Sequence, residues 1–297
     1  MEVIREVGPY PGYLYRPDDK KRYPAIIFLH GSEGGNGDFW YFPGQKPTKV
    51  GEDCFVSQFA KEYAKRGYVT YAISYFHAQD NQEHEFNVPS ELKDIDLERI
   101  TYGALKWLKK CEYVENKKVA LFGVSRGAEQ ALILSSILSK RSESILPDLV
   151  IALSAPDIVF GAFLKEYAEA TIMGKEPDWK NEKAWKFGKA SPEVGSPIEV
   201  ETITPPMLIS YGSQDKIWGP FAQPNNIVKR LKEFDVEHLL LEFKNCGDSN
   251  KVFNEVVRED INNLVVNYLD EGHSNIDKQS RELEKKLLNW FIDKTLK

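Results

Sequence analysis

Apolar residues fall along this chain in short continuous runs, separated by stretches in which they recur every three or four positions, and that alternation sets the elements to expect. Two brief runs, V-I-R-E-V and G-Y-L-Y-R, flank G-P-Y-P and predict an opening pair of antiparallel strands. Residues 23–30, Y-P-A-I-I-F-L-H, form a continuous apolar run that ends at glycine, the pattern of a parallel strand buried on both faces. Helical spacing at roughly 52–66, with Phe55, Phe59 and Tyr63 on one side, leads through Gly67 into a second buried strand, Y-V-T-Y-A-I-S-Y. A long amphipathic helix is expected at about 91–111, then a strand into Val124, a helix through A-E-Q-A-L-I-L-S-S-I-L, and strands at 148–154 and 206–212. After Pro224 the run I-V-K-R-L-K-E-F is helical, whereas V-E-H-L-L-L-E-F fits helix or strand equally. A helix through N-K-V-F-N-E-V-V-R-E-D-I, a last strand at Leu264 to Tyr268 and a final helix at about 276–295 complete the pattern.

Strand and helix alternate from end to end, which predicts a doubly wound, mostly parallel sheet with helices on both faces and ligands at the carboxyl ends of its strands. The roughly 50 residues between the strands at 154 and 206 carry no strand signal and exceed an ordinary loop. They are expected to form a cap, residues 157–204, inserted between the sixth and seventh strands of a single domain covering 1–297. Phe160, Phe163, Trp179, Trp185 and Phe187 give that cap aromatic surface, either to line a pocket or to pack onto the body.

Composition narrows the class. A chain of 297 residues, 42% hydrophobic, can bury one large core. A net charge of -6 without a basic stripe argues against nucleic acid or an anionic membrane as partner. Cys54, Cys111 and Cys246 are odd in number and far apart, which suits free thiols in a reducing compartment. With no apolar leader and no run of about 18 apolar residues, the expectation is a soluble cytoplasmic protein. Neither a phosphate-binding G-x-x-x-x-G-K-[ST] nor a metal-ligand spacing occurs, so no cofactor and no metal are expected.

The candidate chemistry centres on G-V-S-R-G at 123–127, a G-x-S-x-G turn between a buried strand and a helix. Such a turn holds its serine in a strained conformation above the sheet edge, which makes Ser125 the candidate nucleophile. A serine hydroxyl needs a base, and the base an orienting carboxylate. Of five histidines, His30 ends a buried strand, His77 and His84 lie in the following connection, and His238 sits in an element body. His273, in E-G-H-S-N after the last strand, stands where the order serine, acid, histidine requires the base. Asp215, just past the strand ending at Gly212, is the candidate acid, with Asp157 after the preceding strand as competitor. The Arg126 N–H and one from H-G-S-E-G-G, either Ser32 or Glu33, are candidate donors to an oxyanion.

Taken together, F-L-H-G-S-E-G-G, F-A-K-E-Y-A-K-R-G-Y-V-T-Y-A-I-S-Y, G-V-S-R-G-A-E-Q-A-L, G-S-Q-D-K-I-W and E-G-H resemble the catalytic domain of the acyl-CoA thioesterase and bile-acid-CoA:amino acid N-acyltransferase family, and more broadly a dienelactone-hydrolase-like α/β-hydrolase. The resemblance covers about residues 20–275 and places nucleophile, acid and base on Ser125, Asp215 and His273. It implies a small-molecule acyl thioester or ester as substrate, and Trp218, in the D-x-x-W after the acid strand, is a candidate substrate contact. Family members that transfer acyl groups to an amino acid carry cysteine in the turn, so Ser125 looks more like the hydrolytic branch. Family members also carry an amino-terminal β-sandwich domain, whereas some 20 residues precede the first parallel strand here. The expectation is a serine hydrolase acting through an acyl-enzyme; a carboxylesterase, lactone hydrolase or peptidase on the same residues stays open, as do an acyltransferase and a non-catalytic binding protein. The stretch of about 58 residues from Asp215 to His273 is longer than the family's usual interval, so an insertion must fold away from the site.

Overall fold

The computed structural model describes residues 1–32, 39–40, 48–49, 55–76, 91–164, 182–218, 223–244, 248–269, 272 and 277–297. Nine strands form its large sheet: β1 Val3–Val7, β2 Gly12–Pro17, β3 Tyr23–Leu29, β4 Val69–Ile73, β5 Val114–Val124, β6 Leu149–Leu153, β7 Met207–Gly212, β8 Leu239–Phe243 and β9 Asn263–Tyr268. Among the described residues six α-helices accompany them: α1 Phe55–Lys65, α2 Thr101–Leu108, α3 Arg126–Lys140, α4 Asn225–Glu233, α5 Ser249–Val256 and α6 Lys278–Leu296.

The sheet order is β1-β2-β4-β3-β5-β6-β7-β9-β8. The opening hairpin joins β4 antiparallel through β2, and from β4 to β8 all neighbours are parallel. This is the α/β-hydrolase arrangement, with the chain first moving from β3 to β4 and then crossing back to β5. The reversal leaves β3 and β5 side by side with a crevice at their carboxyl ends, the place where such sheets bind ligands.

Alternating side chains serve two cores. On β5, Val119 and Leu121 pack with α2, α3 and α4, while Ala120 and Phe122 pack with α1, α5 and α6. On β3, Ile27 and Ile26 divide in the same way, which is why its sequence reads as an unbroken apolar run. Described parts of 157–204 belong to the first core: Val159, Trp185, Phe187 and Ile198 lie among its buried side chains.

The expected helix at 91–111 is shortened to α2. Its first ten residues are short bridges and turns instead: Leu92 bridges Phe163, Asp94 takes a left-handed φ of 51°, Ile95–Asp96 run parallel to Trp185–Lys186, and a turn at 97–100 leads into α2. Leu92, Ile95 and Leu97 are fully buried by that pairing, so tertiary contacts override a spacing that suits a helix in isolation. The ambiguous stretch before Phe243 is strand, because α4 ends firmly. Asp235 takes a left-handed φ of 54°, its N–H bonds Lys232 O, and the Val236 N–H reaches back to Leu231 O. The long interval after Asp215 therefore holds α4, β8, α5 and β9, with β8 at the outer edge and β9 inserted beside β7.

Helix α6 packs against β5 and β6 and carries one acid to Ser210 of β7. Glu284 accepts from the Ser210 hydroxyl at 3.1 Å, with Tyr268 beside it, and burial pushes its carboxyl up to about 7. Because the folded state holds this proton more tightly than the unfolded chain, the carboxyl takes away stability as pH rises from about 4.5 towards 7, and the loss is complete above 7. In urea unfolding, Glu284→Gln is expected to gain on the wild type as pH is raised from 5 to 8; a gap that does not change with pH would refute this account.

Candidate active site

Ser125 sits at the junction of β5 and α3 with φ 55° and ψ -120°, a conformation that costs a non-glycine residue about 1–3 kcal/mol. Its surroundings impose it. The Ser125 N–H donates to Leu153 O at 2.9 Å, and the Glu129 N–H donates to Ser125 O at 3.0 Å. The strand and helix also pass too close for side chains: a Cβ on Gly123 would stand 2.0 Å from Gly127 O, and one on Gly127 would stand 2.2 Å from Leu29 O. Ser125 is buried except for a residual 7% of its surface.

Register places the loop after β3 beside this turn, since Leu29 pairs with Gly123. His30 is fully buried, its ring stacked on Tyr75 at 3.9 Å and tilted against Phe76. Its Nδ1 donates to Gly31 O at 2.9 Å, its Nε2 accepts the Tyr75 N–H at 3.4 Å, and the Tyr75 hydroxyl donates to His30 O. These partners describe a neutral ring with its proton on Nδ1, serving to fix the loop. Tyr75 is thus a site-shaping residue that the sequence reading missed; a tyrosine at the end of a buried strand gives no signal of whom it will stack on. Ser32 follows, half-buried, and Glu33 lies outside the described residues.

On the other side of the turn, Asp215 is 8% exposed and accepts the Ile217 N–H at 3.0 Å, while its own N–H donates to Gly212 O. Asp157 is also buried, but both its oxygens are engaged at the start of α4: Oδ1 accepts the Gln223 N–H at 2.8 Å and Oδ2 the Asn226 side-chain amide at 2.9 Å. Because Gly212 pairs with Tyr268 and the Ser213 N–H donates to Tyr268 O, the chain leaves β7 and β9 at adjacent points of the same edge. His273 lies four residues beyond the end of the described β9 segment, outside the described residues, as do His77 and His84. His238 precedes β8, at the amino ends of the parallel strands and so on the opposite edge from Ser125, with Nδ1 donating to Val236 O. Trp218 is 3% exposed; its indole N–H donates to Ser154 O at 3.0 Å and its ring packs on Phe160 at 4.7 Å.

Behind Ser125 lies a buried ion pair. Arg126 and Glu129 approach to 2.8 Å with side chains almost wholly enclosed. The guanidinium also donates to Gly161 O, and lies 5.4 Å from the Trp185 ring centroid. One carboxylate oxygen accepts both the Phe160 N–H at 2.8 Å and the Trp185 indole N–H at 2.9 Å. Burial pushes the Glu129 carboxyl up and the Arg126 guanidinium down, each against the pull of its partner. Charged residues three apart on a helix read in sequence as a solvated face. Only the burial of almost the whole of α3 up to Ser136 reveals otherwise.

A groove of about 500 Å³ lies between the second half of α3 and residues 187–199, over Ile137, Phe187 and Ile198. It begins at Ile133, eight residues along the helix from Ser125 and so about 12 Å away, and it is separate from the turn. Among the described residues no helix is long and apolar enough to cross a membrane.

Residues 101–248 match the family model described as BAAT / acyl-CoA thioester hydrolase C terminal. Acyl-coenzyme A thioesterase 6 of Mus musculus is 24% identical over 217 residues, which cover 72% of this chain and 45% of that protein. Its Homo sapiens counterpart is 22% identical over 222 residues, 73% of this chain and 46% of that protein. The chain therefore spans about half the length of the curated relatives it matches. Among solved structures, one from Klebsiella pneumoniae assigned as a dienelactone hydrolase superposes with a TM-score of 0.55 at 12% identity, covering 98% of this chain and 99% of the other. Acylaminoacyl peptidase of Pyrococcus horikoshii superposes with a TM-score of 0.56 at 15% identity, covering all of this chain and 42% of that one. At these identities the structural matches establish the α/β-hydrolase fold.

The close crossing at the turn has a direct consequence. Gly127→Ala forces a methyl group into backbone that cannot retreat and is expected to destabilise the protein by about 3 kcal/mol, read from urea unfolding. A cost within about 0.5 kcal/mol, the range of an ordinary surface change, would refute the crossing.

Proposed function

We propose, from the premise that this chain is an α/β-hydrolase resembling the catalytic domain of the acyl-CoA thioesterase and bile-acid-CoA:amino acid N-acyltransferase family, that it is a serine hydrolase cleaving an acyl thioester or ester through an acyl-enzyme on Ser125. The observation that carries this reading is the strained Ser125, held by Leu153 O and by the Gly123–Gly127 crossing beside the loop after β3. Strain of this kind persists where the surroundings over-determine it, and the turn aims the hydroxyl towards the crevice at the strand ends.

In the proposed reaction Ser125 Oγ attacks the substrate carbonyl carbon and yields its proton to His273. The carbonyl oxygen becomes an oxyanion, met by the Arg126 N–H at the start of α3 and by an N–H of Ser32 or Glu33 in the loop fixed by His30 and Tyr75. Collapse breaks the bond to the thiolate or alkoxide, which leaves with the proton from His273. Water then attacks the acyl-enzyme with His273 as base, releasing the acid and restoring Ser125. Asp215 is assigned to orient the histidine. Its support is the adjacency of the two strand exits, together with the engagement of both Asp157 oxygens at the start of α4. A serine in the turn, in place of the cysteine of the amino-acid transferases, favours water as acyl acceptor.

Two measurements test this. Ser125→Ala is expected to lower turnover of acyl-CoAs, aryl esters and lactones on the order of a millionfold and to abolish fluorophosphonate labelling, since the triad acts as a unit. Retention of activity in pure Ser125→Ala protein would sink the mechanism. Asp215→Asn is expected to lower kcat about ten-thousandfold. Asp157→Asn should instead weaken the start of α4 by about 1 kcal/mol; the reverse pattern would move the acid to Asp157.

A further inference from the structure

Arg126 and Glu129 occupy the first turn of α3, one and four residues from the nucleophile, where ion pairs usually face water. Here both side chains are enclosed, and the desolvation of a buried pair largely offsets its attraction, so the pairing by itself adds little stability. Apolar residues could not, however, hold the N–H groups that converge on the carboxylate. One of these belongs to the Phe160 backbone and the other to the Trp185 indole, both from the segment inserted between β6 and β7. Arg126 adds a third attachment to the same segment by donating to Gly161 O at 2.6 Å.

The attachments lead onward to the acid loop. The Phe160 ring meets Trp218, and the two form a small apolar cluster flanked by Ile158. Trp218 stands three residues after Asp215 and donates its indole N–H to Ser154 O, one residue after the carbonyl that receives the Ser125 N–H. The chain of contacts is thus closed: turn, ion pair, Phe160, Trp218, acid loop, end of β6, turn.

We propose that Glu129 is a positioning residue for the hydrolysis: its carboxylate, set opposite Arg126, holds the Phe160 N–H and the Trp185 indole N–H, and through Phe160 and Trp218 it fixes the acid loop relative to Ser125. The inference rests on the assignment of Ser125 and Asp215 above. It makes residues 158–161 a fixed wall bolted to the nucleophile's helix, whatever the rest of the insertion does. Glutamine at 129 keeps an acceptor for the two N–H groups, whereas leucine keeps none; both leave Arg126 without its counter-charge, so the difference between them isolates the holding of Phe160.

The experiment compares wild type, Glu129→Gln and Glu129→Leu at a temperature below the unfolding of all three. Active sites are counted by fluorophosphonate labelling, and kcat is expressed per labelled site on one acyl-CoA and one aryl ester. Glu129→Leu is expected to lose at least tenfold in kcat per labelled site and Glu129→Gln clearly less, with hydrogen exchange at the Phe160 amide accelerated in the same order. Equal kcat per site in all three, with only the number of sites reduced, would show a purely structural role and overturn the inference. Should Glu129→Leu fail to fold, the wild-type Phe160 amide decides: protection comparable to the α3 amides is expected, and exchange at the rate of an open loop overturns the proposal. If the wild type is neither labelled nor active, the serine hydrolase reading itself fails, an outcome distinct from any of these.

Discussion

The structure turns on one steric constraint, the crossing of β5, α3 and β3 at Gly123 and Gly127. A strand that feeds a helix at so sharp an angle brings backbone within 2.0–2.2 Å of where side chains would start, and only glycine allows it. Everything at the carboxyl edge is placed relative to that crossing. It puts Ser125 in a conformation it would not otherwise adopt, presents the Arg126 N–H at a helix start, and brings the His30 loop alongside because β3 is the strand being crossed. The neutral, stacked His30 then extends the constraint outward, since Tyr75 holds the loop from the end of β4.

Electrostatics completes what sterics begins. A strained turn must be over-determined, and here carbonyls and carboxylates take up that task. Leu153 O receives the serine N–H and Ser154 O receives the Trp218 indole, so two successive residues at the end of β6 tie the Ser125 turn and the loop after β7 to one point. Asp157, three residues later, is diverted to the start of α4. Two buried aspartates on one edge thus differ in their hydrogen-bond partners: Asp157 is bound at the start of α4, whereas Asp215 accepts the Ile217 N–H of its own loop.

What the sequence discloses follows from range. The buried parallel strands and the serine turn were legible because each is written in consecutive residues: continuous apolar runs for β3 and β5, and glycines at fixed offsets around Ser125. The helix expected at 91–111 failed over its first half because Ile95–Asp96 take their partner from Trp185–Lys186, some 90 residues away. Likewise the stretch ending at Phe243 could not be assigned until Asp235 was seen to end α4 and β9 to offer an edge. The Arg126–Glu129 pair was hidden for a related reason. Its spacing is that of a surface pair, and its burial depends on Phe160, Gly161 and Trp185 arriving from a distant segment.

The same reasoning bears on the long interval between Asp215 and His273, the acid and base of the proposed reaction. An insertion there could separate the two strand exits by lying between them in the sheet. It does not: among the described residues β8 pairs with the far side of β9, and β9 keeps its place against β7 over the full register from Met207–Asn263 to Gly212–Tyr268. The added strand widens the sheet at its rim while the order of exits at the carboxyl edge is unchanged. Parallel pairing makes this possible: a strand reached by a helical crossover can be added outside its successor without reversing any neighbour, so extra length is absorbed where it costs the site nothing.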